Sequence, residues 1–107
     1  MSYRLALTPE AQNLAALADP IVKTSAVALC TATNAGSITA APTIADGLTD
    51  GELFIVVNVG ANSMTIQTEP TLASCNIRSR GAAPIVLPQY DAVMFQWNAT
   101  TSNWHQI

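Results

Sequence analysis

The chain has 107 residues, half of them hydrophobic and only 10% charged, with a formal net charge of -3. That length supports one domain with a single core, and the hydrophobic half excludes a wholly disordered chain. Four Lys and Arg in all are too few for a nucleic-acid footprint, and so sparse a charge points to a structural or binding module whose neutral surface is covered in an oligomer or a larger assembly.

The first 24 residues read differently from the rest. Thr8 can cap a helix, Pro9 suits its first position, and Glu10 lies in its first turn. Ala11, Leu14, Ala15 and Ala18 recur at helical spacing until Asp19-Pro20 ends the pattern. The spacing predicts a short helix of about two to three turns, which cannot stand alone. It either covers one end of the core or reaches out as an arm, so residues 1–24 are expected to form an N-terminal arm and residues 25–107 a β-sandwich. Arg4 is not followed by a long apolar run, so neither a signal peptide nor a spanning helix is expected.

From Ser25 onward the chain reads as β. Ala26–Cys30 is a strand, Asn34-Ala35-Gly36 a turn, and Ser37–Ala45 a loose or edge strand around Pro42. Asp46-Gly47 and Asp50-Gly51 are further turns. Glu52–Val59 is the strongest strand, apolar on both faces: Leu53, Ile55 and Val57 on one, Phe54 and Val56 on the other. Such a strand needs cover on its outer side, which a subunit interface would provide. Asn58–Asn62 reads as a hairpin loop, with Met64 and Ile66 pointing inward on the return. Leu72–Arg78, Pro84–Pro88 and Tyr90–Trp97 are further strands, with Val93, Phe95 and Trp97 on one face of the last. A final hairpin about Thr100-Thr101 sets Asn98 opposite Asn103, Trp97 opposite Trp104, Gln96 opposite His105 and Phe95 opposite Gln106. The count of short strands predicts an all-β fold, a sandwich of jelly-roll type.

Few residues invite chemistry. The single histidine, His105, reads as a surface or rim residue. Cys30 and Cys75 read as reduced, buried small side chains, with a disulfide as the alternative. Asp46, Asp50 and Glu52 cluster around glycines, but their spacing is not that of an EF-hand calcium loop. Arg78 and Arg80 are the only paired cations, either a solvated turn or a site for an acidic patch. Phe54, Phe95, Trp97 and Trp104 are expected in the core. No catalytic residue, cofactor site or metal site is expected, and the chain is not expected to be an enzyme.

Asp46-Gly-Leu-Thr-Asp-Gly-Glu-Leu-Phe-Ile-Val-Val-Asn-Val-Gly60 with Met64-Thr-Ile-Gln67, followed by Leu87-Pro-Gln-Tyr-Asp-Ala-Val-Met-Phe-Gln-Trp-Asn-Ala-Thr100 and Trp104-His-Gln106, resembles the small β-domain of tailed-phage virion proteins. The resemblance covers roughly residues 44–107. It embraces capsid decoration (cement) proteins, head fibres and tail-fibre tips, and it implies a β-sandwich or jelly-roll trimer that binds a viral shell or a host surface. With no heptad or collagen-like repeat to build a shaft, the chain is most similar to the decoration type. The resemblance then implies a homotrimer made in the host cytoplasm and seated on the outside of the head against the major capsid protein, with no nucleic-acid or membrane partner. Candidate contact residues are Tyr3, Arg4, Leu7, Leu14, Leu17, Arg78 and Arg80. The alternative is a head-fibre or fibre-tip module for a host glycan, which requires Trp97 or Trp104 to be exposed.

Overall fold

The computed structural model describes residues 7–107. Strands dominate: β1 (Pro9–Leu14), β2 (Val27–Ala32), β3 (Gly36–Ser37), β4 (Leu53–Asn58), β5 (Met64–Ile66), β6 (Ile77–Arg78), β7 (Ile85–Leu87), β8 (Ala92–Asn98) and β9 (Asn103–Gln106). The one helical element among the described residues is a single 3-10 turn at Arg80–Ala82. The fold class is all-β. Six strands form one sheet in the order β1-β2-β4-β8-β9-β6, and β3-β5-β7 form a second.

The chain winds between these sheets in coils. β1, β2 and β4 stack in parallel, with Pro9 beside Val27 and Val27 beside Ile55. β3 and β5 are likewise parallel. A third wall is marked by the parallel bridge of Ile21 to Ile44. The chain then reverses: β7 runs antiparallel to β5, β8 to β4, and β9 to β8. Jelly rolls are built from antiparallel strands, so the parallel pairings of the first three coils depart from that pattern.

Two side-chain amides stand in for strand partners where the coils are too short to pair. Asn76 donates its Nδ2–H to the Ile44 carbonyl at 2.6 Å and accepts the Ile44 N–H at 3.4 Å. Gln12 does the same for Val22, accepting its N–H at 3.0 Å and donating to its carbonyl. Each amide matches one residue's backbone donor and acceptor, leaving neither unpaired.

The helix expected over Thr8–Ala18 does not form. Pro9 fits the start of an edge strand as well as the start of a helix, and a helix of about ten residues has little stability of its own. Strand pairing with β2 instead supplies backbone partners and buries Leu14. Ala15–Asp19 close into a turn, with the Asp19 N–H on the Ala16 carbonyl and the Ala16 N–H on Asp19 Oδ2, both at 3.1 Å. The expected boundary at residue 24 is also not where the core begins: β1 lies in the same sheet as β2, and Ile21 is fully buried with the rest of the core.

The expected hairpin across Asn58–Asn62 is a crossing between sheets, since β4 and β5 belong to different ones. Side chains hold that crossing. Asn62 Nδ2 donates to the carbonyls of Ala32 and Thr33 at 3.0 and 2.9 Å, and Gly60 packs against Thr31 so closely that a Cβ would lie 2.9 Å from its methyl group. The last hairpin has the register expected from sequence, Trp97 against Trp104 and Asn98 against Asn103.

The core draws residues from both sheets. Phe54, Phe95, Trp97 and Trp104 are all buried in it. The Trp104 ring lies 5.2 Å from Trp97 and 5.7 Å from Phe54, and its Nε1–H donates to the Ala45 carbonyl at 3.0 Å. Gly47 lies against Trp97, where any Cβ would fall 2.3 Å from the indole.

Candidate interaction surface

Alternation along the strands of the six-stranded sheet gives it two faces. Phe54, Val56, Val93, Phe95 and Trp97 turn inward. The residues between them turn away from the core. The pairing register places Pro9, Val27, Ile55 and Met94 in one row, and the Ile107 N–H on the Met94 carbonyl at 3.0 Å adds Ile107 to its end. The next row is Ala11, Leu29, Val57 and Ala92. The third runs from Leu53 through Gln96 and His105 to Arg78 and is polar beyond its first residue. The first two rows contain no charged, aromatic or hydrogen-bonding side chain. Leu53, Met94 and Ile107 are exposed, and Val27, Leu29, Ile55 and Val57 are partly so. The outer side of the three-stranded sheet is different: Val86 is exposed there, and its neighbour across the pair is Thr65.

The contact residues expected from sequence do not gather into one patch. Tyr3 and Arg4 lie outside the described residues. Leu7 is exposed, Leu17 is half-buried, and Leu14 is in the core, where it cannot meet a partner. Arg78 pairs with Glu69, Nε to Oε2 at 2.8 Å, with both side chains substantially exposed, so the pair adds little stability. Arg80 is exposed on the 3-10 turn. The two tryptophans that a stacked sugar would need at the surface are buried.

The titratable groups serve structure. Cys30 and Cys75 are unbonded and buried, and burial pushes the Cys30 thiol up to about 11, away from the thiolate a nucleophile requires. Asp46, Asp50 and Glu52 are each engaged separately: Asp46 Oδ1 accepts from Asn76 at 3.0 Å and Asp50 Oδ1 accepts the Ala99 N–H at 2.9 Å. Glu52 accepts the N–H groups of Leu48 and Thr49, and its carboxylate lies 3.1 Å from Lys23 Nζ. Among the described residues no group of three or more His, Cys, Asp or Glu is arranged to hold a metal ion. A hollow of about 290 Å³ between Pro20, Val22, Ala41 and Pro42 is lined by apolar side chains. No helix among the described residues is long and apolar enough to cross a membrane.

Burial alone would raise the Glu52 pKa, but the Thr49 and Leu48 N–H groups and Lys23 outweigh it and hold it below its ordinary 4.5. A carboxyl whose folded pKa is depressed contributes stability above its unfolded pKa and loses it as pH falls through the folded value. Glu52→Gln is therefore expected to be less stable than the parent at pH 7, with the gap closing as pH falls below about 4.5. Urea midpoints of both proteins from pH 7 to pH 3 check this; a gap that stays constant contradicts the clamp.

Comparison with models of known families, with curated sequences and with solved structures finds no match for this chain.

The outer face of the six-stranded sheet was partly visible in the sequence. The two-sided apolar pattern of Glu52–Val59 pointed to it. The helical spacing of Ala11, Leu14, Ala15 and Ala18 hides the contributions of Pro9 and Ala11.

Proposed function

We propose that this chain is a structural virion protein, a decoration (cement) protein that binds the outside of a tailed-phage head as a homotrimer and stabilises it. The observation that carries the reading is the pair of uncharged aliphatic rows on the outer face of the six-stranded sheet, in a chain of which only 10% is charged. Such a face supports association rather than solvation. The two sheets are taken as the halves of a small β-sandwich, and the sequence resemblance over residues 44–107 supplies the virion context. The mechanism is mechanical: apolar area is buried between neighbouring shell subunits, and many symmetric copies add avidity.

The N-terminal residues Tyr3, Arg4 and Leu7 are the proposed anchor, since Leu14 is committed to the core. Truncation for a binding test should therefore stop before Pro9, because removing residues 1–20 would also strip β1 and expose the edge of β2. In a gradient of phage heads mixed with the protein, the full chain is expected to travel with the heads and the chain lacking residues 1–7 to bind more weakly. A full chain that stays with the free protein overturns the decoration reading.

A further inference from the structure

The geometry points to Asp46-Gly47 as a site of spontaneous backbone modification, where the aspartate isomerises to isoaspartate, and to Asp50-Gly51 as its protected twin. These are the only Asp-Gly steps in the chain. Glycine carries no Cβ to hinder its own nitrogen, so that nitrogen can close on the side-chain carboxyl of the aspartate before it. A bond from the nitrogen to Cγ forms as a carboxyl C–O bond breaks. The nitrogen gives up its proton, and one carboxyl oxygen leaves as water. Water then opens the succinimide ring. Opening at the main-chain carbonyl carries the backbone through Cβ and Cγ and leaves the α-carboxylate as the side chain. The balance is one water lost and one regained, with no other reactant, and no step depends on binding to a capsid.

The attacking nitrogen separates the two steps. Both carboxylates are tethered alike through Oδ1, Asp46 to Asn76 Nδ2 and Asp50 to the Ala99 N–H. Gly51 stands in a turn closed by the Glu52 N–H on the Thr49 carbonyl at 3.1 Å, with a φ of 86° that glycine adopts freely. Its N–H is pinned to the Trp97 carbonyl at 2.9 Å, and its carbonyl accepts Gln96 Nε2 at 3.2 Å. That nitrogen must break its bond before it can attack. Gly47 is different. Glu52 Oε1 takes the N–H groups of Leu48 and Thr49, while the Gly47 N–H has no hydrogen-bond partner among the described residues. Asp46 is exposed, so water reaches the ring once it forms. The consequence falls on the aromatic core. Ala45 before the step accepts the Trp104 indole N–H, and Gly47 after it packs on Trp97. An extra backbone carbon between them pulls both contacts out of register in a close-packed interior.

Ageing the full chain in water enriched in heavy oxygen, at mildly acidic pH and body temperature, tests this. Peptide mass spectrometry reads the heavy oxygen taken up when the ring opens, and electron-transfer fragmentation distinguishes isoaspartate from aspartate at each position. In the folded chain, conversion at Asp46 is expected to outpace that at Asp50 on the order of tenfold, the ratio set by one hydrogen bond that must open first. In the chain unfolded in urea the two sites are expected to convert at similar rates. Asp46→Glu, whose longer side chain disfavours the ring, is expected to abolish the product, and Asp50→Glu to leave it in place; circular dichroism verifies that both variants fold. Isoaspartate at Asp50 equal to or above that at Asp46 in the folded chain overturns the inference. So does an absence of product at Asp46 over a period in which the unfolded chain converts. A preference for Asp46 that persists unchanged in urea also overturns it, because its cause then lies in the neighbouring residues and not in the fold.

Discussion

Trp104→Ala is expected to destabilise the fold by about 3–5 kcal/mol, which for a domain of this size lowers the melting temperature by more than about 12 °C. Trp104 is fully buried and joins four parts of the chain. Its ring packs on Trp97 of the adjoining strand and on Phe54 of β4, its indole N–H reaches Ala45 beside the Ile21–Ile44 bridge, and its backbone N–H donates to the Asn76 carbonyl at 2.7 Å. Alanine leaves a cavity that cannot collapse easily, because β9 lies between β8 and β6. Trp104→Phe keeps most of the apolar contact but orphans the Ala45 carbonyl, so it is expected to fall between the parent and the alanine variant. Thermal melts followed by circular dichroism measure both. An alanine variant within about 1 kcal/mol of the parent would mean that this ring is not a keystone of the core.

Asn58→Leu is expected to cost about 3 kcal/mol or more, although leucine nearly matches asparagine in shape. Asn58 is fully buried at the end of β4, where the chain leaves one sheet for the other. Its Nδ2 donates to the carbonyls of Asn62 and Leu87, both at 2.8 Å, and its Oδ1 accepts the Gly60 N–H at 3.0 Å. Leucine leaves three backbone groups without their partner at a point that little water reaches, and each such group costs about 1–3 kcal/mol. Asn58→Asp keeps the acceptor but turns an anion toward two carbonyl oxygens, so it is expected to be no better than leucine at pH 7. Urea denaturation midpoints separate the outcomes. Parent-like stability in the leucine variant would show that the crossing is held by packing alone.

These two residues also mark how far sequence reading extends. Trp104 was placed correctly by the spacing of the last hairpin, because a two-strand turn fixes register locally. The alternation of Val93, Phe95 and Trp97 likewise assigned the inner face of β8. The segment Asn58–Asn62 reads as a hairpin loop, since asparagine and glycine are turn residues. The role of Asn58 depends on Leu87, 29 residues away, and no local pattern encodes such a partner. The same limit explains β1. Ala11, Leu14, Ala15 and Ala18 fit a helical stripe, but propensity for one short segment is a weak prior against a parallel neighbour 18 residues on. Arg78 and Arg80 stand out as cations, while of the candidate surface only Leu53, Ile55 and Val57 read as a face that needs cover.

The position of Pro9 at the start of β1 bears on how copies of this protein can meet. A stack of parallel coils is a natural seed for filaments, because each open rim offers peptide groups to the next molecule. Here one edge of the six-stranded sheet is β6, only two residues long. At the other, Pro9 brings no amide hydrogen, Glu10 brings an exposed charge, and the strand ends after six residues. Rim-to-rim polymerisation is thereby discouraged at both extremities of that sheet.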